Sequence, residues 1–383
     1  MAAQEPATCQ WHDAIPCQFD PSELAEASDI VLWQGRAYCQ LHLPLLAGAL
    51  KRGFSDTACG HIKTALNLRG VQFPPRQYNL NTKNVDTDLR ECAFAADVAL
   101  SLGSSKFDMS GSTFGSSARP PQGRITLSLA DHATVQLDGA RVFTSLEIQC
   151  QQGSHHARNW SMQRVAFWGE LLLKDVKFTG SLDFSGARFY APVRFDNTKM
   201  PQQTRGDRLH FAKSALTPDA EGNYRSARLV FADHKNRELE GVFYACEKRC
   251  HRQSLSPRHL RNWLPLSLSN LYDLTSGYGH SYGKALTAFL VIQVLFGLGY
   301  SVASERFELA PATDWNVVLF TLAQVAKPFD LLSARSYDTT LFGVVNLSEA
   351  SPWWGIAAFI HSTISLALIA LFLLAVRWRF RRD

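Results

Sequence analysis

Charge is missing from two stretches near the C-terminus. Residues 285–304 and 355–376 contain no Asp, Glu, Lys or Arg. Each is about 20 residues long, which at a 1.5 Å rise per residue crosses a hydrocarbon layer about 30 Å thick. A helix of a soluble core usually keeps a polar face, so both stretches read as transmembrane helices. Cysteine is also absent from this quarter: Cys9, Cys17, Cys39, Cys59, Cys92, Cys150, Cys246 and Cys250 all precede the first stretch. No basic-then-apolar pattern opens the chain, so no cleaved leader is expected. There is no Walker loop, no GxGxxG after a strand and no GxSxG elbow. Nothing therefore anchors phosphate, dinucleotide or acyl-transfer chemistry. The chain reads as a non-enzyme with no catalytic and no cofactor-binding residue. His155-His156, in the polar run QQGSHHARNW, reads as a solvated pair.

The charges that are present set an orientation. Arg377, Arg379, Arg381 and Arg382 crowd the end of the second span, and Lys284 abuts the first. Residues 305–354 hold three Lys/Arg against six Asp/Glu. The positive-inside rule then puts both termini in the cytoplasm and the loop outside. Trp353, Trp354 and Trp378 flank the second span, where aromatic belts sit. These flanks account for most of the net charge of +5, so no nucleic-acid partner is expected and the lipid bilayer is. Cysteines on the cytoplasmic side would stay reduced.

Three of those cysteines read best as metal ligands. Cys9, Cys17, Cys39 and His42 form C-x7-C-x21-C-x2-H. Structural zinc takes four tetrahedral S/N ligands, often two from a short knuckle, and Cys39-x2-His42 is one. Cys9-x2-His12 is another, so His12 is an alternative to Cys17. A segment this poor in apolar residues orders itself best around a metal. No position looks open for water, so residues 1–50 are expected to form a zinc-finger-like module with a structural zinc.

The middle of the chain repeats. Phe167, Leu173, Phe178, Phe184, Phe189, Phe195 and Met200 follow one another at alternating spacings of six and five, and Phe211 follows later. Val176, Ala187 and Val193 stand two residues before three of them. Weaker copies lie upstream, at Asn67–Phe73, Asp108–Phe114 and the set Leu137, Val142 and Ile148, interrupted over 115–124 (GSSARPPQGR). Neither a helical nor a strand period fits. A chain that turns a corner every five or six residues and stacks its inward side chains does, and that is a solenoid. Phe178-Thr179-Gly180 and Phe184-Ser185-Gly186-Ala187-Arg188-Phe189 resemble the pentapeptide-repeat family in its FxGxxxFSGAxF variant. The resemblance implies a right-handed β-helix, expected over 60–231. Some members of that family mimic acidic DNA; here residues 94–231 hold 16 Lys/Arg against 12 Asp/Glu, which argues against such a role.

A helical connector is expected over 232–282, and the two-span region over 283–383. Phe243-Tyr244, Glu247, Ser276, Tyr278-Gly279 and Ser281 make the layout similar to a bacterial subgroup whose repeats precede two spans, which implies an inner-membrane location. Gly277-Tyr278-Gly279 reads as a flexible entry turn. Two functions fit. One is a cytoplasmic scaffold or sensing module that holds an unidentified protein partner on a solenoid face. The other is a homo-oligomeric two-span channel with a pore helix over 315–326, although no TVGYG-like filter follows it. In the second span His361 is the functional candidate, near enough to Trp353-Trp354 to reach the interface; Thr363 and Ser365 are expected to bond back to their own helix.

Overall fold

The computed structural model describes residues 9–11, 17, 30–44, 56–64, 67–80, 86–103, 106–117, 123–150, 156–201, 203–255, 259–279, 281–306, 314–326 and 352–380. The chain divides into two compact units, residues 1–254 and 255–383.

The first unit is a parallel β-solenoid. Its strands run from Gln72–Phe73 to His210–Phe211 and build two seven-stranded sheets and one six-stranded sheet. Seven strands on one face make six turns, consistent with the fold that the resemblance implies. Parallel in-register pairing sets like positions above one another. One such column runs Phe73, Phe94, Phe114, Val142, Phe167, Phe189 and Phe211. Rings within it stack at 4.7 Å (Phe73–Phe94) and 5.1 Å (Phe167–Phe189), close to the 4.7–4.9 Å strand spacing. The inward residues read from the spacing are buried, as are Val176, Ala187 and Val193, except Phe211, which is partly buried. Extended backbone alternates its side chains, so a residue and the one two before it face the same way.

One corner explains the glycine of the repeat. Gly70, Glu91, Gly111, Gly139, Arg164, Gly186 and Arg208 all have positive φ, between 56° and 74°. Each but the last sends its N–H to a carbonyl one coil further on, as Gly186 does to Asp207 at 2.7 Å. Only glycine takes this conformation without strain. The interruption at 115–124 leaves the stack intact: Phe114 pairs with Val142 across it, and residues 118–122 lie outside the described residues.

The solenoid is shorter than 60–231. Residues 60–64 belong to helix α1 (Asp56–Thr64), and residues 221–231 to helix α2 (Glu221–Asp233). The five-and-six spacing ends at Met200, Phe211 follows 11 residues later, and Tyr224, Ala227 and Phe231 then follow at helical spacing and are buried. With α3 (Arg237–Ser254), α2 covers the last coil. Phe243 stacks on Phe231 at 5.2 Å and meets Phe195 and Phe211 edge-on. Buried Glu247 takes Arg225 at 3.0 Å and Arg228 at 3.2 Å. A bare coil would expose unpaired backbone and invite aggregation; the helices remove that edge.

The second unit is helical: α4 (Leu260–Ser276), α5 (Tyr282–Arg306), α6 (Asp314–Ala326) and α7 (Pro352–Phe380). Two helices, over Tyr282–Val302 and Trp353–Arg377, are long and apolar enough to cross a membrane. Leu286, Leu290, Val294 and Leu298 on α5 are exposed, as are Phe359, Leu373 and Leu374 on α7. The turn into α5 is tightly tied rather than the loose entry expected. Gly277, Tyr278 and Gly279 all have positive φ. Gly277 N–H donates to Asp273 O at 2.9 Å, Gly279 N–H to Ser276 Oγ at 3.1 Å, and the Tyr278 hydroxyl meets Ser269 Oγ at 2.7 Å.

Candidate metal centre

A hairpin builds half of the site. Ile30–Trp33 pairs antiparallel with Arg36–Cys39. Gln34 and Gly35 between them both have positive φ, as a two-residue primed turn requires. The second strand ends on Cys39. The chain then folds back at once, with the N–H groups of His42 and Leu43 both donating to Cys39 O at 3.0 Å. That knuckle brings His42 Nδ1 to 3.1 Å from Cys39 Sγ. Gln10 N–H donates to Ala37 O at 2.6 Å, which lays the Cys9 segment along the same strand.

Cys9, Cys17, Cys39 and His42 thus meet. His42 Nδ1 lies 3.6 Å from Cys9 Sγ and 3.4 Å from Cys17 Sγ, and the Cys17 and Cys39 sulfurs are 4.0 Å apart. All four ligand atoms lie within 4.8 Å of one another. A tetrahedral ion with bonds of about 2.3 Å to sulfur and about 2.05 Å to nitrogen needs edges of about 3.8 and 3.6 Å. The residues therefore fit a metal ion, as their spacing led us to expect. Three sulfurs this close cannot ionise independently. Hydrogen bonds from Cys17 and Cys39 hold Cys9 well below the ordinary thiol range, whereas Cys17 and Cys9 push Cys39 above it. His12, the alternative ligand, lies outside the described residues.

The second layer suits the same role. His42 Nε2 lies 3.4 Å from Arg69 O. A proton there leaves the Nδ1 lone pair free for a cation, the usual arrangement for a ligating histidine. Trp11 stacks on the imidazole at 4.8 Å, and a Cβ at Gly70 would collide with the Trp11 ring. Gln72 N–H donates to Leu41 O at 2.6 Å, and Leu41 and Leu43 are buried. The cluster is thereby tied to the first coil, a link that the cysteine pattern alone does not reveal.

No family model, curated protein or solved structure matches this chain.

A second polar group lies inside the helical unit. His361 is fully buried. Its Nε2 is 3.1 Å from Gln293 Oε1, Gln293 Nε2 donates to Ser365 Oγ at 2.9 Å, and the Tyr300 hydroxyl lies 3.4 Å from His361 Nδ1. If the Gln293 amide donates to Ser365, its oxygen must accept, which assigns the proton to Nε2 of His361 and makes Nδ1 the acceptor for Tyr300. Phe296 stacks on the ring at 4.4 Å. Gln293, Phe296 and Tyr300 recur at helical spacing on α5, and His361 and Ser365 on α7, so one stripe of each faces the other. Ser365 Oγ accepts across from α5, where a bond back to its own helix was expected; Thr363 does bond back, to Phe359 O at 2.8 Å.

Proposed function

We propose that this chain is a membrane-anchored scaffold of the pentapeptide-repeat family, wound right-handed, capped by a structural zinc on Cys9, Cys17, Cys39 and His42. The anchor is the helix pair α5 and α7, spanning a bacterial inner membrane with both chain termini in the cytoplasm. Arg377 and Lys284 at the cytoplasmic ends and the acidic loop between the spans support this orientation. Helix α4 supports the membrane anchoring. Trp263, Leu264, Leu268, Leu271 and Leu274 are all more than half exposed, and the leucines recur at spacings of three and four. Such a face next to a span fits the headgroup boundary of the bilayer.

The scaffold reading rests on one observation. Phe143, Trp168 and Tyr190 stack outward along the coil surface, with centroids 4.6 and 5.2 Å apart, and all three are half-buried. Rigid aromatic side chains held in a row carry much contact energy at little entropic cost, and they anchor protein interfaces. With both ends of the stack covered, the sides of the solenoid remain for a partner. A photo-crosslinking residue placed at 168 or 190, in cells, should yield one discrete adduct. The same residue at the exposed Arg188, outside the aromatic row, should yield none. Equal labelling at all three sites rejects the reading.

One observation favours the second reading, a two-span channel gated by the solenoid. Helix α6 has 13 residues, too few to span, and buries Phe320, Thr321, Ala323 and Gln324. It covers the expected pore helix 315–326; residues 327–351 after it lie outside the described residues. A conducting tetramer in planar bilayers would favour this reading, and a non-conducting monomer would remove it.

A further inference from the structure

His155-His156 read as a solvated pair in the sequence, but His156 has a partner 24 residues upstream. Asp131 and His132 form the turn after the strand Arg124–Leu129, and His156 opens the strand His156–Ser161 one coil on. Ala133 pairs in register with Ala157, so the residues before them, His132 and His156, stand one above the other. Their rings stack with centroids 5.5 Å apart and planes 16° from parallel. Two backbone bonds lock this corner. His132 N–H donates to His156 O at 2.6 Å, and His156 N–H donates to Asp131 Oδ1 at 2.9 Å. The carboxylate is thereby fixed between the two imidazoles. Its Oδ1 lies 3.4 Å from His156 Nδ1, and its Oδ2 lies 3.6 Å from His132 Nε2.

We propose that Asp131, His132 and His156 form a second metal site, for a borderline divalent transition metal such as Zn2+, Ni2+ or Cu2+. Two imidazoles and one carboxylate are the donors such ions prefer, whereas Mg2+ and Ca2+ demand an all-oxygen shell. The three ligand atoms lie within 4.8 Å of one another. Bonds of about 2.0–2.2 Å bring ligand atoms to about 3–3.5 Å separation, so the side chains must draw together by about 1 Å to close on an ion. All three side chains are between 40% and 52% exposed. The remaining coordination positions therefore face solvent, open to water or to a carboxylate or imidazole of another molecule. This site differs in kind from the thiolate cluster: it has three ligands rather than four and no sulfur. Lys177, in register with His156 on the next coil, adds a positive charge that further lowers cation affinity. It should bind more weakly and exchange faster, and its two histidines come from separate coils, so it joins one turn of the solenoid to the next.

Full-length protein in detergent, dialysed against Zn2+, tests this. The unmodified chain should take up two equivalents, one tight and one weaker. The double variant His132→Ala/His156→Ala should keep the tight equivalent and lose the weaker one, and Asp131→Asn should weaken it by about tenfold or more. Retention of the tight equivalent shows that the variant folds. Uptake of a single equivalent by the unmodified chain, or two by the double variant, overturns the proposal. Copper supplies a reading that needs no variant. Cu2+ added after zinc has filled the thiolates should show nitrogen hyperfine coupling in its paramagnetic resonance spectrum, and an all-oxygen spectrum overturns the proposal as well.

Discussion

Gly169→Ala should be far more damaging than Gly139→Ala, although both glycines lie in the same solenoid. Gly139 sits at φ 69°, and a Cβ there meets nothing within 4 Å. Only the left-handed backbone opposes alanine, at about 1 kcal/mol. Gly169 does not have positive φ, but its Cβ would stand well inside 3.0 Å of the backbone carbonyl of Thr144, on the neighbouring coil. Backbone cannot swing aside as a side chain can. Contact at about 3.5 Å requires the two coils to part by about 1.4 Å. The bonds on either side are Trp168 N–H to Val142 O at 2.7 Å and Leu146 N–H to Glu170 O at 2.8 Å. Parting by that amount takes both beyond hydrogen-bond reach. Two lost bonds, with their groups left without partners, cost about 3–5 kcal/mol together. Guanidinium titration of the full chain in detergent, followed by circular dichroism of the sheet, gives the unfolding midpoints. Gly139→Ala should lower the midpoint slightly and Gly169→Ala severely. Equal midpoints for the two variants would refute the coil geometry from which the difference is drawn.

Other outcomes follow from the same structure. Metal analysis of the purified chain should find tightly held zinc that Cys39→Ser abolishes and that Trp11→Ala, which removes only the stacked ring, retains. Gln293→Leu removes the bonds to Ser365 and to His361 and should weaken the α5–α7 pair by about 1–2 kcal/mol in detergent unfolding; adding Ser365→Ala should cost no more, since it removes only a bond already lost, and full additivity would show that the Gln293–Ser365 bond does not exist. The chain should stay in the pellet when broken cells are spun without detergent, and a fluorescent protein fused after Asp383 should glow, as it folds in the cytoplasm and not in the periplasm. Mutating Trp168 to Ala should leave the unfolding free energy within about 1 kcal/mol of the parent, because the ring is outward, while reducing crosslinking from position 190.

Much of this architecture was written locally, and local features are legible. The alternating spacing from Phe167 to Met200 is imposed by a corner every few residues, so it shows in any window of the chain and names its inward residues correctly. The two long apolar helices are legible because their length and polarity are both properties that a sequence displays. The Cys39-x2-His42 knuckle is one turn of backbone, and Cys9 and Cys17 could be paired with it because few residue types bind zinc. Only the tertiary structure decided what met across coils and across helices. Coil length varies, so nothing in the spacing of His132 and His156 announces that the parallel register sets one above the other. Gln293 and His361 lie on separate helices, and no periodicity within either one says which stripe faces the other. The ends of the solenoid were misjudged for the same reason: α2 is recruited by the apolar edge of the last coil, a surface that exists only once the coils have stacked.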